Sequence, residues 1–326
     1  VRENVGLIEV ANFSKHEFKG PDARKFLDHI MAGKLPKPGR ISLTPMLTYR
    51  GKLYGDLTVA CFDENEFMVF GSGAAQEMHR RWFESHLRKF NLKYKNRSDE
   101  FHGLSIAGPK SRDLLQKVVR ENVSNESFKF RDSRKMFVAG VPAIINRISF
   151  TGELGYEIYV APHFQLKLYE ELTNAGKEFN IKPFGGRALM SMRLEKNWGA
   201  WTLDYRPDFT AKETGLDVFI NWDKDFIGKD SAQKDDSKNK LVPLIVETND
   251  IDVTFNEAVL KGDKSIGYIT SGGFAHFVNK SVAFSYVDHN ELISEKGIQV
   301  EINGDFFNCS IIKEPLYDPL GQKMRS

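Results

Sequence analysis

The sequence predicts an α+β protein in three parts: two related α+β subdomains and a small all-β domain. Three observations carry that expectation. Gly20-Pro21-Asp22-Ala23-Arg24-Lys25-Phe26-Leu27 recurs as Gly108-Pro109-Lys110-Ser111-Arg112-Asp113-Leu114-Leu115, each copy after a strand-like stretch. The run Lys234-Asp235-Asp236-Ser237-Lys238-Asn239-Lys240 alternates in charge and reads as a solvated linker. Beyond it no helical stripe appears, and short strand-like runs alternate with turn residues. The expected domains are 1–98, 99–236 and 237–326.

In the first unit, strand-like residues 13–18 lead to Gly20, which permits a turn, and Pro21 is expected at the first helical position. Residues 41–49 and 52–62 read as a hairpin joined by Arg50-Gly51, with a third strand at 66–70. A helix from about Ala74 carries Met78, Trp82, Leu87 and Phe90 at helical spacing. The second unit repeats the plan with strands at 101–107, 135–149 and 155–161. A helix bearing Phe164, Leu168 and Leu172 ends near Gly176, and another spans 187–196. The tail strands 241–246, 264–270, 282–287, 299–302 and 306–312 predict a small barrel or sandwich.

Composition excludes several classes. At 326 residues the chain can hold more than one core, and 41% hydrophobic with 28% charged residues is ordinary for a globular protein. A net charge of +2 lacks the basic excess of a nucleic-acid binder. No apolar run is long enough to span a bilayer, so no membrane partner is expected. Cys61 and Cys309 match no disulfide, redox or metal pattern and are expected as free thiols of a reducing compartment: the cytoplasm or, in a eukaryote, the mitochondrial matrix. The histidines show no ligand spacing, so no metal site is expected. The start at Val1 rather than Met reads as a fragment or a trimmed product.

Few residues stand out as chemical. Strict alternation along 52–62 puts Leu53, Leu57, Val59 and Cys61 on one face and Tyr54, Asp56, Thr58 and Ala60 on the other. A mid-strand carboxylate such as Asp56 is costly if that face is covered, while a face open to water is the simpler account. In Thr151-Gly152-Glu153-Leu154-Gly155-Tyr156-Glu157, a turn leads into a strand with Glu157 opposite Tyr156. A carboxylate there can accept two donors from an amidine-like edge such as a pterin's, or sit on a surface hairpin. Glu153, on the turn beside it, is expected to matter little to such binding. Ser271-Gly272-Gly273-Phe274 reads as a plain turn or a close backbone approach. Arg187, Arg193 and Glu195 open a helix and are expected to form a structural ion pair, with either arginine also able to meet an anionic tail.

Together with Gly55-Asp56-Leu57-Thr58-Val59, Leu43-Thr44-Pro45-Met46-Leu47, Asp225-Phe226-Ile227-Gly228-Lys229 and Pro315-Leu316-Tyr317-Asp318-Pro319, these stretches resemble the aminomethyltransferase (glycine-cleavage T-protein) family in order and spacing. The similarity runs over nearly the whole chain and is greatest to the C-terminal folate-binding half of dimethylglycine and sarcosine dehydrogenases. The resemblance implies a three-domain cloverleaf around a central channel for tetrahydrofolate. It makes Asp56 catalytic and gives Glu157, Phe13, Leu43, Phe150, Tyr156 and Arg187 to folate binding. Phe150 stands where relatives carry a tyrosine, and Leu189 occupies the place of an arginine, with Arg187 nearby. The family domain's usual opening segment has no counterpart here.

The implied activity is one-carbon transfer from an N-methylated amine, or its imine, to tetrahydrofolate. A flavin domain would feed it, though this chain, without Gly-x-Gly-x-x-Gly, is not expected to bind flavin itself. The alternatives are a T-protein served by a lipoyl carrier protein and a non-catalytic folate-binding relative. The latter often carries Lys-Gly-Cys before an aromatic residue, which this sequence lacks.

Overall fold

Both Gly-Pro copies turn the chain before their helices begin. In the computed structural model, which describes residues 1–326 except 249 and 294–296, the Gly20 and Gly108 carbonyls accept from the Ala23 and Ser111 N–H groups at 3.0 Å. Each proline therefore occupies the second position of a β-turn, ahead of helices Ala23–Ile30 and Ser111–Val118, and not the first helical position. Gly108 has φ +133°, and a Cβ there would lie 2.3 Å from the Asn4 carbonyl oxygen, so only glycine fits.

Five antiparallel strands form the first sheet, in the order Arg40–Leu47, Leu53–Asp63, Glu66–Gly71, Ser14–Lys19, Lys93–Asn96. The second has six, ordered Lys182–Pro183, Gly6–Glu9, His102–Ala107, Gly155–Val160, Val141–Asn146, Ser133–Val138. Helices Ala23–Ile30 and Gln76–His86 cover the outer face of the first sheet, burying Phe26, Leu27 and Phe83 against Leu57, Val59 and Cys61. On Gln76–His86 the buried residues are His79 and Phe83; Met78 and Trp82 of the expected stripe are half-buried. Ser111–Val118 and Gln165–Gly176 cover the second sheet's outer face. The inner faces meet through Val10, Ile41, Ala60, Met68, Phe70, Ile144 and Tyr159.

The boundary expected at residue 98 is crossed twice. Gly6–Glu9 pairs with His102–Ala107, and Leu7 joins the second sheet's core. Farther on, Tyr205, Leu216 and Phe226 pack on Leu47 and Leu53 of the first sheet. Strand pairing follows edge availability and apolar matching, which proximity in sequence does not dictate.

In the tail, strands Asn239–Val246, Lys280–Asp288, Lys264–Ala275, Ala258–Lys261, Ile298–Ile302 and Asp305–Ile311 close into a barrel, deciding that architecture over a sandwich. The Gly186–Glu195 helix docks on it by Leu194 against Val282 and Phe284.

Candidate functional site

The Leu53–Asp63 strand does not alternate strictly. Met46 pairs with Gly55 and Leu47 with Leu53, so Tyr54 is the extra residue of a β-bulge. Its ring turns to the helix side, 4.7 Å from Trp82, while Leu53 joins Tyr205 in another cluster. The expected sharing of one face by Tyr54 and Asp56, and of the other by Leu53 and Leu57, fails for this reason. Ala60, on the same face as Asp56 and Thr58, packs against Ile144 and Tyr159 of the second sheet, and the Asp56 carboxylate adds to the burial that raises the Tyr205 phenol.

Asp56 is half-buried. Lost hydration pushes its carboxyl up to about 7, against a downward pull from its own backbone N–H. Leu43 lies across from Thr58, Thr58 from Phe70 and Phe70 from Lys15, forming one cross-strand row beside it.

On the facing Gly155–Val160 strand, Glu157 and Tyr159 point inward while Tyr156, Ile158 and Val160 enter the outer core. Tyr159 stacks on Phe70 with ring centres 4.8 Å apart, and its hydroxyl donates to Glu157 Oε2 at 2.8 Å. Burial pushes Glu157 up to about 7, although the Tyr159 hydroxyl and the Lys15 ammonium both pull downward. Lys15 is fully buried; its Nζ donates to the Ala11 carbonyl at 2.6 Å and lies 5.6 Å from the Tyr159 ring centre. Burial lowers it to about 8, with Glu9, Glu157 and Asp99 pulling the other way. Sequence reading passed over Lys15. Its signal was a lysine on the same side of a strand as Phe13, two residues earlier.

The inner faces thus carry Leu43 and Asp56 on the first sheet and Glu157 on the second, with Phe13 packed half-buried against the apolar cluster between them. Tyr156 is not among them: it is fully buried behind the sheet, 5.7 Å from Phe128, because residues on one strand alternate. Phe150 is half-buried in the connection before that strand, and Arg187 is exposed on the first turn of its helix. Phe13, Phe70 and Tyr159 form an apolar cluster beside these carboxyls, and two carboxyls near 7 can exchange protons at neutral pH.

The polar residues flanking this region are structural. Arg193 and Glu195 do not pair with each other, since residues two apart on a helix diverge. Arg193 binds Asp204 at 2.6 Å, and Asp204 also accepts from Thr270 at 2.5 Å and Ser271 at 2.7 Å. Glu195 holds Arg2 at 2.6 Å, and Arg2 also reaches Glu153 at 3.1 Å. Glu153 is buried and accepts from the Tyr317 hydroxyl as well, so it is no free surface group. Ser271 to Phe274 lie within the Lys264–Ala275 strand, not in a turn, and a Cβ on Gly272 would come 2.6 Å from the Val253 carbonyl oxygen. Among the described residues no helix is long and apolar enough to cross a membrane.

Two sheets packed face to face under outer helices, with a closed barrel appended, make this an α+β protein with its candidate site between the sheets. The family model of the GCVT N-terminal domain matches residues 1–224, and that of the glycine cleavage T-protein C-terminal barrel domain matches 239–318. The chain belongs to this glycine-cleavage T-protein family. Mitochondrial dimethylglycine dehydrogenase of Mus musculus is 37% identical over 97% of the chain, which spans 37% of that relative's length. The aminomethyltransferase of Thermoanaerobacter pseudethanolicus is 30% identical over 93% of the chain and 83% of its own length. A crystal structure of glycine cleavage system aminomethyltransferase T from Bartonella henselae shares the fold, with TM-score 0.88 at 21% identity, covering 98% of this chain and 88% of that one.

Proposed function

We propose that this chain binds tetrahydrofolate between its two sheets and places a one-carbon unit on it, as the folate portion of an N-methylglycine-type dehydrogenase system. The observation that carries this is the pair Asp56 and Glu157, both with carboxyls raised to about 7 on facing sheets. A pterin needs an apolar wall and an acceptor for its amidine edge. Phe13, Phe70 and Tyr159 supply the first, and Glu157, oriented by Tyr159, supplies the second. Bound tetrahydrofolate would supply the nucleophilic ring nitrogens that take up the carbon. Asp56 orients the attacking centre and accepts or returns its proton, a role suited to a carboxyl near neutrality. Enclosure between the sheets fixes the approach and excludes water.

The donor in this reading is a small N-methylated amine or its imine, delivered by a flavin domain in the cytoplasm or mitochondrial matrix. The match to the T. pseudethanolicus aminomethyltransferase supports a second reading, in which a lipoyl carrier protein delivers the carbon. Calorimetry with tetrahydrofolate should show binding of roughly −8 kcal/mol, a micromolar affinity. No heat and no thermal shift at millimolar ligand removes the proposal. Supplying a dimethylglycine-oxidising flavoprotein or an aminomethyl-loaded lipoyl carrier, and following carbon onto folate, separates the two donors.

A further inference from the structure

One buried imidazole stands directly behind the bulge that aims Asp56. His79 is buried on the Gln76–His86 helix, and its Nε2 lies 2.9 Å from the Tyr54 carbonyl oxygen. A carbonyl only accepts, so Nε2 carries the hydrogen and Nδ1 is bare. Nδ1 finds no hydrogen-bond partner among the described residues. Burial lowers His79 to about 4, which keeps the ring neutral at physiological pH.

A bulge takes its extra residue out of the regular pairing, so the ladder alone holds it weakly. Slipping the strand by one residue would move Asp56 to the helix side, among Leu57 and Val59. Packing converges on this point. Besides Trp82, the Tyr54 ring meets His79 at 6.3 Å, and Trp201 lies 5.9 Å from His79. The other titratable neighbour is His16, at 6.5 Å, itself 2.9 Å from the Tyr94 hydroxyl. Gly55 leaves room for the imidazole: a Cβ there would come 3.0 Å from Nε2.

We propose that His79 is a positioning residue for Asp56: its Nε2–H holds the Tyr54 carbonyl, and with it the bulge that turns Asp56 between the sheets. The proposal rests on the reading of Asp56 as the proton-handling group, and on no other part of the proposed function.

The test compares His79→Leu, which removes the donor, with His79→Gln, whose amide can replace it, each alone and with Asp56→Asn. Four quantities are measured: kcat for carbon transfer, folate Kd, Tm, and the Asp56 titration by difference infrared spectroscopy, its band assigned by loss in Asp56→Asn. His79→Leu should lower kcat about tenfold or more, since small misplacements are amplified in rate, and should move the Asp56 titration. Folate Kd should stay within about threefold. His79→Gln should restore both rate and titration. In the Asp56→Asn background, His79→Leu should cost no further rate. A His79→Leu that slows that background as much as the parent, or leaves the Asp56 titration in place, overturns the proposal. If His79→Leu does not fold, His79→Asn, whose amide is too short to reach the Tyr54 carbonyl, faces the same criteria. A parent that transfers no carbon sinks the proposed function, while the infrared arm still decides the role of His79.

Discussion

The Tyr159 hydroxyl donates a 2.8 Å hydrogen bond to Glu157, two residues earlier on the same face of the same strand. That bond anchors Glu157 Oε2 on the inner face of its strand. Tyr159 meanwhile spends its ring on Phe70 of the opposite sheet. One side chain therefore both joins the sheets and orients the acceptor.

Glu157→Ala should weaken tetrahydrofolate binding by roughly 2–3 kcal/mol, the usual loss of a charged hydrogen-bond partner. Calorimetry on the parent and the variant measures it. A loss below about 0.5 kcal/mol would remove Glu157 from the binding site.

Lys15 pulls the Glu157 carboxyl downward, so Lys15→Met should raise its titration further above the parent's value of about 7. Binding through an ionised carboxylate then needs higher pH. The midpoint of folate affinity against pH should shift alkaline, and an unchanged or acid-shifted profile would contradict the coupling.

Asp56→Asn should fold, bind folate within severalfold and lose transfer by roughly a hundredfold or more, because the amide cannot take up a proton. Stability supplies a separate check. The folded Asp56 carboxyl stays protonated until pH nears about 7, whereas the unfolded chain ionises it from about 4. Its stabilising contribution is complete at low pH and is lost as pH rises through about 7. Asp56→Asn should therefore melt higher than the parent at about pH 8 and close to it at about pH 4. A lower Tm at both pH values would make Asp56 structural.

Glu153→Ala should destabilise the fold by about 3 kcal/mol, since it leaves the buried Arg2 without one of its two carboxylates. Chemical denaturation measures the loss. The folded fraction should bind folate within severalfold of the parent, because Glu153 joins the N-terminus to Tyr317 and does not face the inter-sheet space.

Much of this was legible locally. Alternation along Gly155–Val160 already separates Glu157 from Tyr156 and Ile158, and the Gly-Pro repeat already marks two helices that follow strands. Alternation failed at Tyr54, where an extra residue enters the strand directly before Gly55, a strand-interior glycine of the kind that marks a bulge. The structural roles of Glu153 and Glu195 were not legible because their shared partner, Arg2, lies far away in sequence.

The sequence by itself determined most of the longer strands and helices, an all-β tail, and the mid-strand carboxylates, because period, turn residues and charge act over a few neighbours. Only the tertiary structure decided that Gly6–Glu9 joins the second sheet, that the tail closes into a barrel, and that Lys15 lies buried beside Tyr159. Those outcomes depend on which apolar faces meet. Once they meet, water leaves, and lost hydration moves two ordinary carboxyls to about 7.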